Sequence, residues 1–162
     1  YAPIQLSRYV TTVANSGTCY DLTLIDQVKD VNGNVILDNH AKVRNTVNIA
    51  NSTWKAVHNG MYRVVNGSRS SIGSMFSGMK VKIAGKTGTA QQSKLHANHA
   101  YFVSYAPYKN PEISVTCVIP NGFTSSNAAQ TARDVYKYYF SKNKKKVSGK
   151  IKMPESNTTH TD

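Results

Sequence analysis

Residues 83–92 read IAGKTGTAQQ, a stretch with the composition of a β-strand that nevertheless sets Gly85 and Gly88 on either side of Lys86 and Thr87. Glycine weakens a strand interior, because it offers no side chain to pack and loses the most conformational freedom, so two of them ask for a reason. The usual reason is the close approach of another backbone or of a ligand. A Lys86 ammonium, the hydroxyls of Thr87 and Thr89 and the exposed amides of a strand edge would together accept a carboxylate-bearing peptide lying antiparallel to that edge. A phosphate loop competes with this reading, since Gly85-Lys86-Thr87 ends like the G-x-x-x-x-G-K-[ST] motif. That motif needs glycine five positions before Gly85, where Lys80 stands, and Gly78 is two places out of register. Without the glycine-rich loop no amides are available to cradle a phosphate.

Working outward, three extended runs occupy residues 81–91, 100–106 and 113–119. The last two are joined by Pro107-Tyr108-Lys109-Asn110-Pro111, a link that allows only antiparallel pairing. Ile113, Val115, Cys117 and Ile119 alternate with Ser114, Thr116 and Val118, as in a strand with one buried face. Ser125-Ser126-Asn127 then supplies a helix cap, and Ala132, Val135, Tyr136, Tyr139 and Phe140 form a stripe that predicts a helix packed on the sheet.

Toward the N-terminus, Ile4, Leu6, Tyr9, Val10 and Val13 recur at helical spacing after Pro3, and Asn15-Ser16-Gly17 ends the pattern. Asn32-Gly33 between Val28 and Val35-Ile36-Leu37 marks a hairpin. Asn51-Ser52 predicts the cap of a helix over residues 53–65 with Trp54, Val57, Met61, Val64 and Val65 on one face. Residues 66–78, rich in Gly and Ser, read as a loop. The fold class expected is therefore α/β of the α+β kind: antiparallel strands with a C-terminal helix on the sheet, preceded by a helix-hairpin-helix region.

A length of 162 residues suits one folding unit. Residues 1–140 form that unit, whereas residues 141–162, SKNKKKVSGKIKMPESNTTHTD, are polar, lysine-rich and aperiodic and read as a disordered basic tail. Much of the net charge of +12 sits there, in Lys142, Lys144, Lys145, Lys146, Lys150 and Lys152, so the charge alone does not argue for nucleic acid. Cys19 and Cys117 are too few and too far apart for a disulfide framework. No stretch approaches the roughly twenty apolar residues of a membrane helix. His96 and His99 lack a nearby Cys or carboxylate to complete a metal site. The chain opens inside a helical pattern and without Met, so residues preceding Tyr1 are expected to have been removed or to lie in another piece.

Lys86-Thr87-Gly88 resembles the third signature motif of penicillin-binding proteins and class A β-lactamases. The longer run Lys86-Thr87-Gly88-Thr89-Ala90-Gln91 looks like the form used by class B penicillin-binding proteins. Asn98-His99-Ala100-Tyr101-Phe102, Tyr105-Ala106-Pro107 and Pro111-Glu112-Ile113-Ser114-Val115 are similar to that family's next two strands, and the segments 1–17, 57–65 and 121–139 are similar to its helices in the same order. The resemblance implies the C-terminal portion of an elongation-type transpeptidase domain with a β-lactamase-like fold. In that family the serine of an S-x-x-K motif attacks the D-Ala-D-Ala end of a peptidoglycan stem peptide, or a β-lactam, through an acyl-enzyme and an oxyanion hole. Carried onto this chain, Lys86 and the hydroxyls of Thr87 and Thr89 would hold the substrate or β-lactam carboxylate. The Thr89 amide would be half of the oxyanion hole, and Gly88 would let the substrate backbone lie close. The resemblance implies no cofactor, no metal and no nucleic acid, and a membrane-anchored parent protein acting on the extracytoplasmic face of the bacterial cell membrane.

The family's S-x-x-K and S-x-N motifs precede its K-T-G, the first by more sequence than the 85 residues that precede Lys86. Ser52-Thr53-Trp54-Lys55 and Ser77-Gly78-Met79-Lys80 fit S-x-x-K by letter and Ser125-Ser126-Asn127 fits S-x-N, but the first reads as a helix cap, the second as a loop and the third follows the motif it should precede. The expectation is thus a chain with no catalytic residue of its own, completed by a missing N-terminal half. A peptide- or wall-binding module without chemistry and a basic nucleic-acid-binding domain are the rival readings.

Overall fold

A computed structural model of the chain describes residues 2–141. Its centre is a three-stranded antiparallel sheet of β5 (Ala84–Ala90), β6 (His99–Ala106) and β7 (Ile113–Ile119), ordered β5-β6-β7. Pairing runs without a bulge from Ala84↔Tyr105 to Ala90↔His99 and from Ala100↔Ile119 to Ala106↔Ile113. The two-residue side-chain period sorts the strands into faces. Ala100, Phe102 and Ala106 point with Ile113, Val115, Cys117 and Ile119 to one face, where α3 (Ser125–Tyr139) lays down Ala128, Ala129, Ala132 and Tyr136, all fully buried. Three alanines in that stripe let the helix axis come close to the sheet.

The opposite face carries Tyr105 and Val103 with Ala84, packed against Val10 of α1 (Pro3–Ala14) and bordered by Met61 and Tyr62 of α2 (Asn51–Asn66). Thr11 of α1 and Ser114 of β7 join their hydroxyls at 2.8 Å across this face. Both faces of the sheet are therefore covered, and the polar residues expected to face solvent on β7 include one that ties a helix down. One polar pair lies inside the α3 face: the Tyr136 hydroxyl donates to Ser104 Oγ at 2.9 Å, and Ser104 Oγ donates to the Val115 carbonyl at 3.3 Å. Burial pushes the Tyr136 hydroxyl well above its usual range, which keeps it a neutral donor.

Gly85 has a reason internal to the sheet. A Cβ there would stand 2.5 Å from Phe102 Cζ and 3.0 Å from Ser104 Cβ, so the ring of the neighbouring strand fills the space a side chain would take. The close approach at this glycine is that of the Phe102 side chain, where another backbone or a ligand was expected.

The N-terminal region follows the expected helix-hairpin-helix order. α1 closes on Asn15, with Ser16 at φ 51° and Gly17 at φ 106°, the left-handed turn that glycine adopts without strain. The hairpin joins β2 (Gln27–Lys29) to β3 (Val35–Asp38), and the Asp30 carboxylate locks its turn by accepting from the Asn32 and Asn34 amides at 2.9 and 2.8 Å. A second pair, β1 (Thr18–Tyr20) with β4 (Val43–Thr46), encloses the hairpin and was not foreseen, because strands of three and four residues are too short to show a period.

Four local expectations are corrected. The cap of α2 is Ala50, with Asn51 and Ser52 already helical, and the cap of α3 is Thr124, whose side chain accepts from the Ser126 amide. Residues 66–78 hold a 3-10 turn, Gly73–Phe76, that buries Ile72 and Phe76. Val135, read as part of the packing stripe, is 40% exposed. The tail expected after residue 141 lies outside the described residues.

Replacing Gly85 by Ala should destabilise the chain by about 1–3 kcal/mol through overpacking on Phe102, read as a lower urea midpoint at unchanged slope. Tyr136→Phe should cost about 1 kcal/mol in the same assay. Tyr105, fully buried and without a hydrogen bond among the described residues, has its hydroxyl pushed by burial from 10.0 up to about 12. The unfolded chain therefore loses that proton first, so stability should fall as pH rises from 10.0 to about 12, and Tyr105→Phe should flatten this slope.

Candidate functional site

The site begins with an asymmetry of β5, which among the described residues pairs with β6 along one side and with no strand along the other. Just before the strand, Lys82 turns its carbonyl toward β6 and receives the Tyr108 amide at 2.7 Å, whereas the Ile83 carbonyl turns away and receives Asn66 Nδ2 of α2 at 2.8 Å. Peptide orientation alternates along a strand, so Gly85, Thr87 and Thr89 present their N–H and C=O groups to the free edge while Ala84, Lys86 and Gly88 bond to β6. Lys86 Nζ curls over and donates to the outward Thr87 carbonyl at 2.7 Å, placing its charge at that edge.

Side chains flank the edge from both faces. Lys86 and Gly88 share one face with Tyr101 and Val103, and together with Leu6 of α1 and Thr87 they line a depression of about 310 Å³. Thr87 also borders a second depression, of about 770 Å³, whose walls are Gly60, Arg63 and Val64 of α2 and the segment holding Ser68, Arg69, Ser70 and Ser71. A Cβ on Gly88 would come within 3.3 Å of Tyr101 Cβ, so this glycine keeps the strand surface low beside the tyrosine. Among the described residues no Asp or Glu lines either depression. Among the described residues Lys86, Arg63 and Arg69 form no ion pair; those present join His40 with Asp38, Arg44 with Asp21 and Arg133 with Asp134. The edge thus offers unpaired amides, two hydroxyls and a positive field, which suits an extended ligand ending in a carboxylate.

The serine motifs matched by letter are dispersed. Ser52 and Lys55 are exposed on the first turns of α2, Ser77 and Lys80 are exposed beside the C-terminal end of α3, and Ser126 lies in the first turn of α3. None of them lines either depression along β5. Both ring nitrogens of His99 are engaged: Nδ1 accepts the Asn121 amide at 2.9 Å, which fixes the proton on Nε2 facing Gln92 Oε1 at 2.8 Å. Among the described residues no three His, Cys, Asp or Glu side chains gather as a metal site.

Lys86, Thr87, Gly88 and Thr89 lie together because they are consecutive. What sequence reasoning missed is their setting: Arg63 and Arg69 beside Thr87, and Leu6 and Tyr101 beside Lys86. Leu6 was visible in the α1 stripe and Tyr101 in the alternation of β6, but nothing in the spacing of Arg63 or Arg69 pointed across to β5.

The family of the penicillin binding protein transpeptidase domain matches residues 1–137. Penicillin-binding protein 2B of Streptococcus pneumoniae strain D39 is 34% identical over 151 residues, which cover 86% of this chain and 22% of that protein. Peptidoglycan D,D-transpeptidase MrdA of Haemophilus influenzae is 34% identical over 156 residues, covering 85% and 23% respectively. The solved structure of penicillin-binding protein 2B from Streptococcus pneumoniae strain R6 superposes with a TM-score of 0.75 at 31% identity, over 88% of this chain and 26% of that one. The chain thus spans less than a quarter of the length of these curated relatives. With a family match over nearly its whole described length and the Lys-Thr-Gly-Thr strand at the edge of its sheet, this chain belongs to the penicillin-binding protein transpeptidase domain family.

Proposed function

We propose that this chain supplies the carboxylate-recognition and oxyanion edge of a serine D,D-transpeptidase of peptidoglycan synthesis. The observation that carries the reading is the edge of β5 that no described strand pairs with, where outward peptide groups, Lys86 and two threonine hydroxyls meet and no acidic side chain among the described residues lines the adjoining depressions. The stem peptide, or a β-lactam in its place, lies antiparallel to β5. Its carboxylate draws Lys86 Nζ off the Thr87 carbonyl, an exchange of a neutral acceptor for a charged one, and takes the Thr87 and Thr89 hydroxyls. Gly88 leaves room for the substrate backbone, and the Thr89 amide faces the carbonyl oxygen as charge develops on it. The nucleophilic serine and its lysine come from outside this chain, in the N-terminal part of the transpeptidase domain.

On this reading residues 1–140 are the C-terminal part of that domain, residues 141–162 are a basic extension, and the parent protein works on the extracytoplasmic face of the bacterial cell membrane, to which it is anchored. Among the described residues no helix is long and apolar enough to cross a membrane. The relatives named penicillin-binding protein 2B and D,D-transpeptidase support both the substrate and the inhibitor class.

Incubated with a fluorescent penicillin, the 162-residue chain alone should gain no covalent mass, and the chain joined to the preceding region of the domain should gain one label. Labelling of the isolated chain would make one of its own serines the nucleophile and overturn the assignment. A completed domain that never labels would favour a peptide-binding module without chemistry. Within the completed domain, Lys86→Gln should lower the second-order acylation rate about 10- to 100-fold, the effect of roughly 1.5–3 kcal/mol for a charged hydrogen bond, while the urea midpoint barely moves.

A further inference from the structure

Asparagine followed by glycine is the least hindered setting in which a backbone nitrogen can attack the preceding side chain, because glycine has no Cβ to crowd the approach. The chain holds four such pairs: Asn32-Gly33, Asn59-Gly60, Asn66-Gly67 and Asn121-Gly122. Three are held by structure. Asn59 and Gly60 lie inside α2, where helical backbone directs the Gly60 amide back along the helix and away from the Asn59 side chain. Asn66 spends its side-chain amide on the Tyr62 and Ile83 carbonyls at 3.0 and 2.8 Å, and the Gly67 amide donates to the Arg63 carbonyl at 2.9 Å. Asn121 gives its backbone amide to His99 Nδ1 at 2.9 Å, while buried Gly122 gives its own to the Ile119 carbonyl at 3.1 Å and is hemmed in by Ala100 and Ile119. Asn32-Gly33 is different. Residues 31–34 are exposed, the Asn32 side chain makes no hydrogen bond among the described residues, and nothing lies within 4 Å of where a Gly33 Cβ would stand. The Gly33 amide is held by one bond, to the Asp30 carbonyl at 3.1 Å. The pair tops the β2–β3 hairpin, whose short strands pack chiefly on each other. A lone two-stranded ribbon is marginal in water, so its turn opens at far lower cost than the body of the domain.

We infer that Asn32-Gly33 is a site of self-modification, at which the Gly33 amide closes on the Asn32 side chain and converts it to a carboxylate. Hydroxide removes the Gly33 amide proton, the nitrogen attacks Asn32 Cγ, and the Cγ–Nδ2 bond breaks, so that Nδ2 leaves with a proton from water as ammonia. A five-membered cyclic imide remains. Water then opens it at one of its two carbonyls: addition at Cγ restores the normal backbone and leaves an aspartyl residue, and addition at the main-chain carbonyl leaves the backbone running through Cγ as an isoaspartyl residue. No oxidant, reductant or cofactor takes part. Either product adds a negative charge to residues 21–38, which already hold Asp21, Asp26, Asp30 and Asp38 against Lys29. The isoaspartyl product also inserts a methylene into the backbone between Asp30 and Asn34, where the Asp30 amide meets the Asn34 carbonyl at 2.9 Å and the Asn34 amide meets the Asp30 carboxylate at 2.8 Å. That insertion breaks the turn and with it the pairing of Lys29 with Val35. The inference does not depend on the transpeptidase reading, since no residue of the Lys86–Thr89 edge takes part.

The test incubates the 162-residue chain at mildly alkaline pH below its melting temperature and follows it by peptide mapping with mass detection. The peptide containing Asn32 should gain a carboxylate about tenfold or more faster than those containing Asn59, Asn66 and Asn121. In concentrated urea the four should convert within about threefold of one another, because the fold and not the dipeptide then no longer distinguishes them. The rate at Asn32 should rise with pH, and isoaspartate should be found there. Asn32→Gln, which would have to close a larger ring, should show no conversion at that position over the same period. Conversion at Asn32 no faster than at Asn59 in the folded chain would overturn the inference, and so would a product at position 32 that is aspartate alone, as direct hydrolysis without the Gly33 nitrogen would give.

Discussion

The contact between Phe102 and the bare backbone of Gly85 sets the register on which the rest of the molecule depends. Phe102 is fully buried, stands opposite Thr87 on one side and Cys117 on the other, and meets the ring of Phe76 at 5.9 Å. A slip of one residue between β5 and β6 would put a side chain where the ring now sits and would turn the apolar set of β6 to the wrong face. Holding that register also decides which peptide groups of β5 look outward, so the identity of the free edge follows from a packing contact one strand away.

Around this sheet the helices have distinct tasks. α3 covers one face with alanines and closes it with the Tyr136–Ser104–Val115 chain, whose polar groups are satisfied in a core that could not otherwise hold them. α2 reaches the edge strand through Asn66, whose amide bonds both the Tyr62 carbonyl of its own last turn and the Ile83 carbonyl at the mouth of β5. That bracket holds Arg63 and the following serine-rich segment beside Thr87. The cationic character of the site is thus partly lent by a helix distant from it in sequence.

The sheet, both long helices and the Asn-Gly hairpin were legible in the sequence because each leaves a period or a turn signal in residues that are neighbours along the chain. The Lys86–Thr89 strand was legible for the same reason, and its resemblance to a known motif added the chemistry. Other features were not. Gly85 looked like a place for a ligand, since the sequence cannot say that Phe102, seventeen residues on, fills the gap. Residues 66–78 looked like a plain loop because Gly and Ser mask the burial of Ile72 and Phe76. Helix starts were misplaced at Asn51-Ser52 and Ser125-Asn127, where several residues able to cap stand in a row and only the backbone geometry of Ala50 and Thr124 selects one. Arg63 and Arg69 join the site through tertiary packing, which no local pattern announces.

An edge built from peptide groups cannot be edited one side chain at a time. Substitutions at Thr89, Ala90 or Gln91 alter what surrounds the outward amides but leave the amides in place. Only changes that shift the strand itself reach them: at Phe102 and Tyr101 behind it, or at Asn66 where α2 grips its beginning. A change in where these outward peptide groups stand would therefore originate in the packing layer behind β5, at Phe102 or Asn66, while the residues of the strand stayed the same.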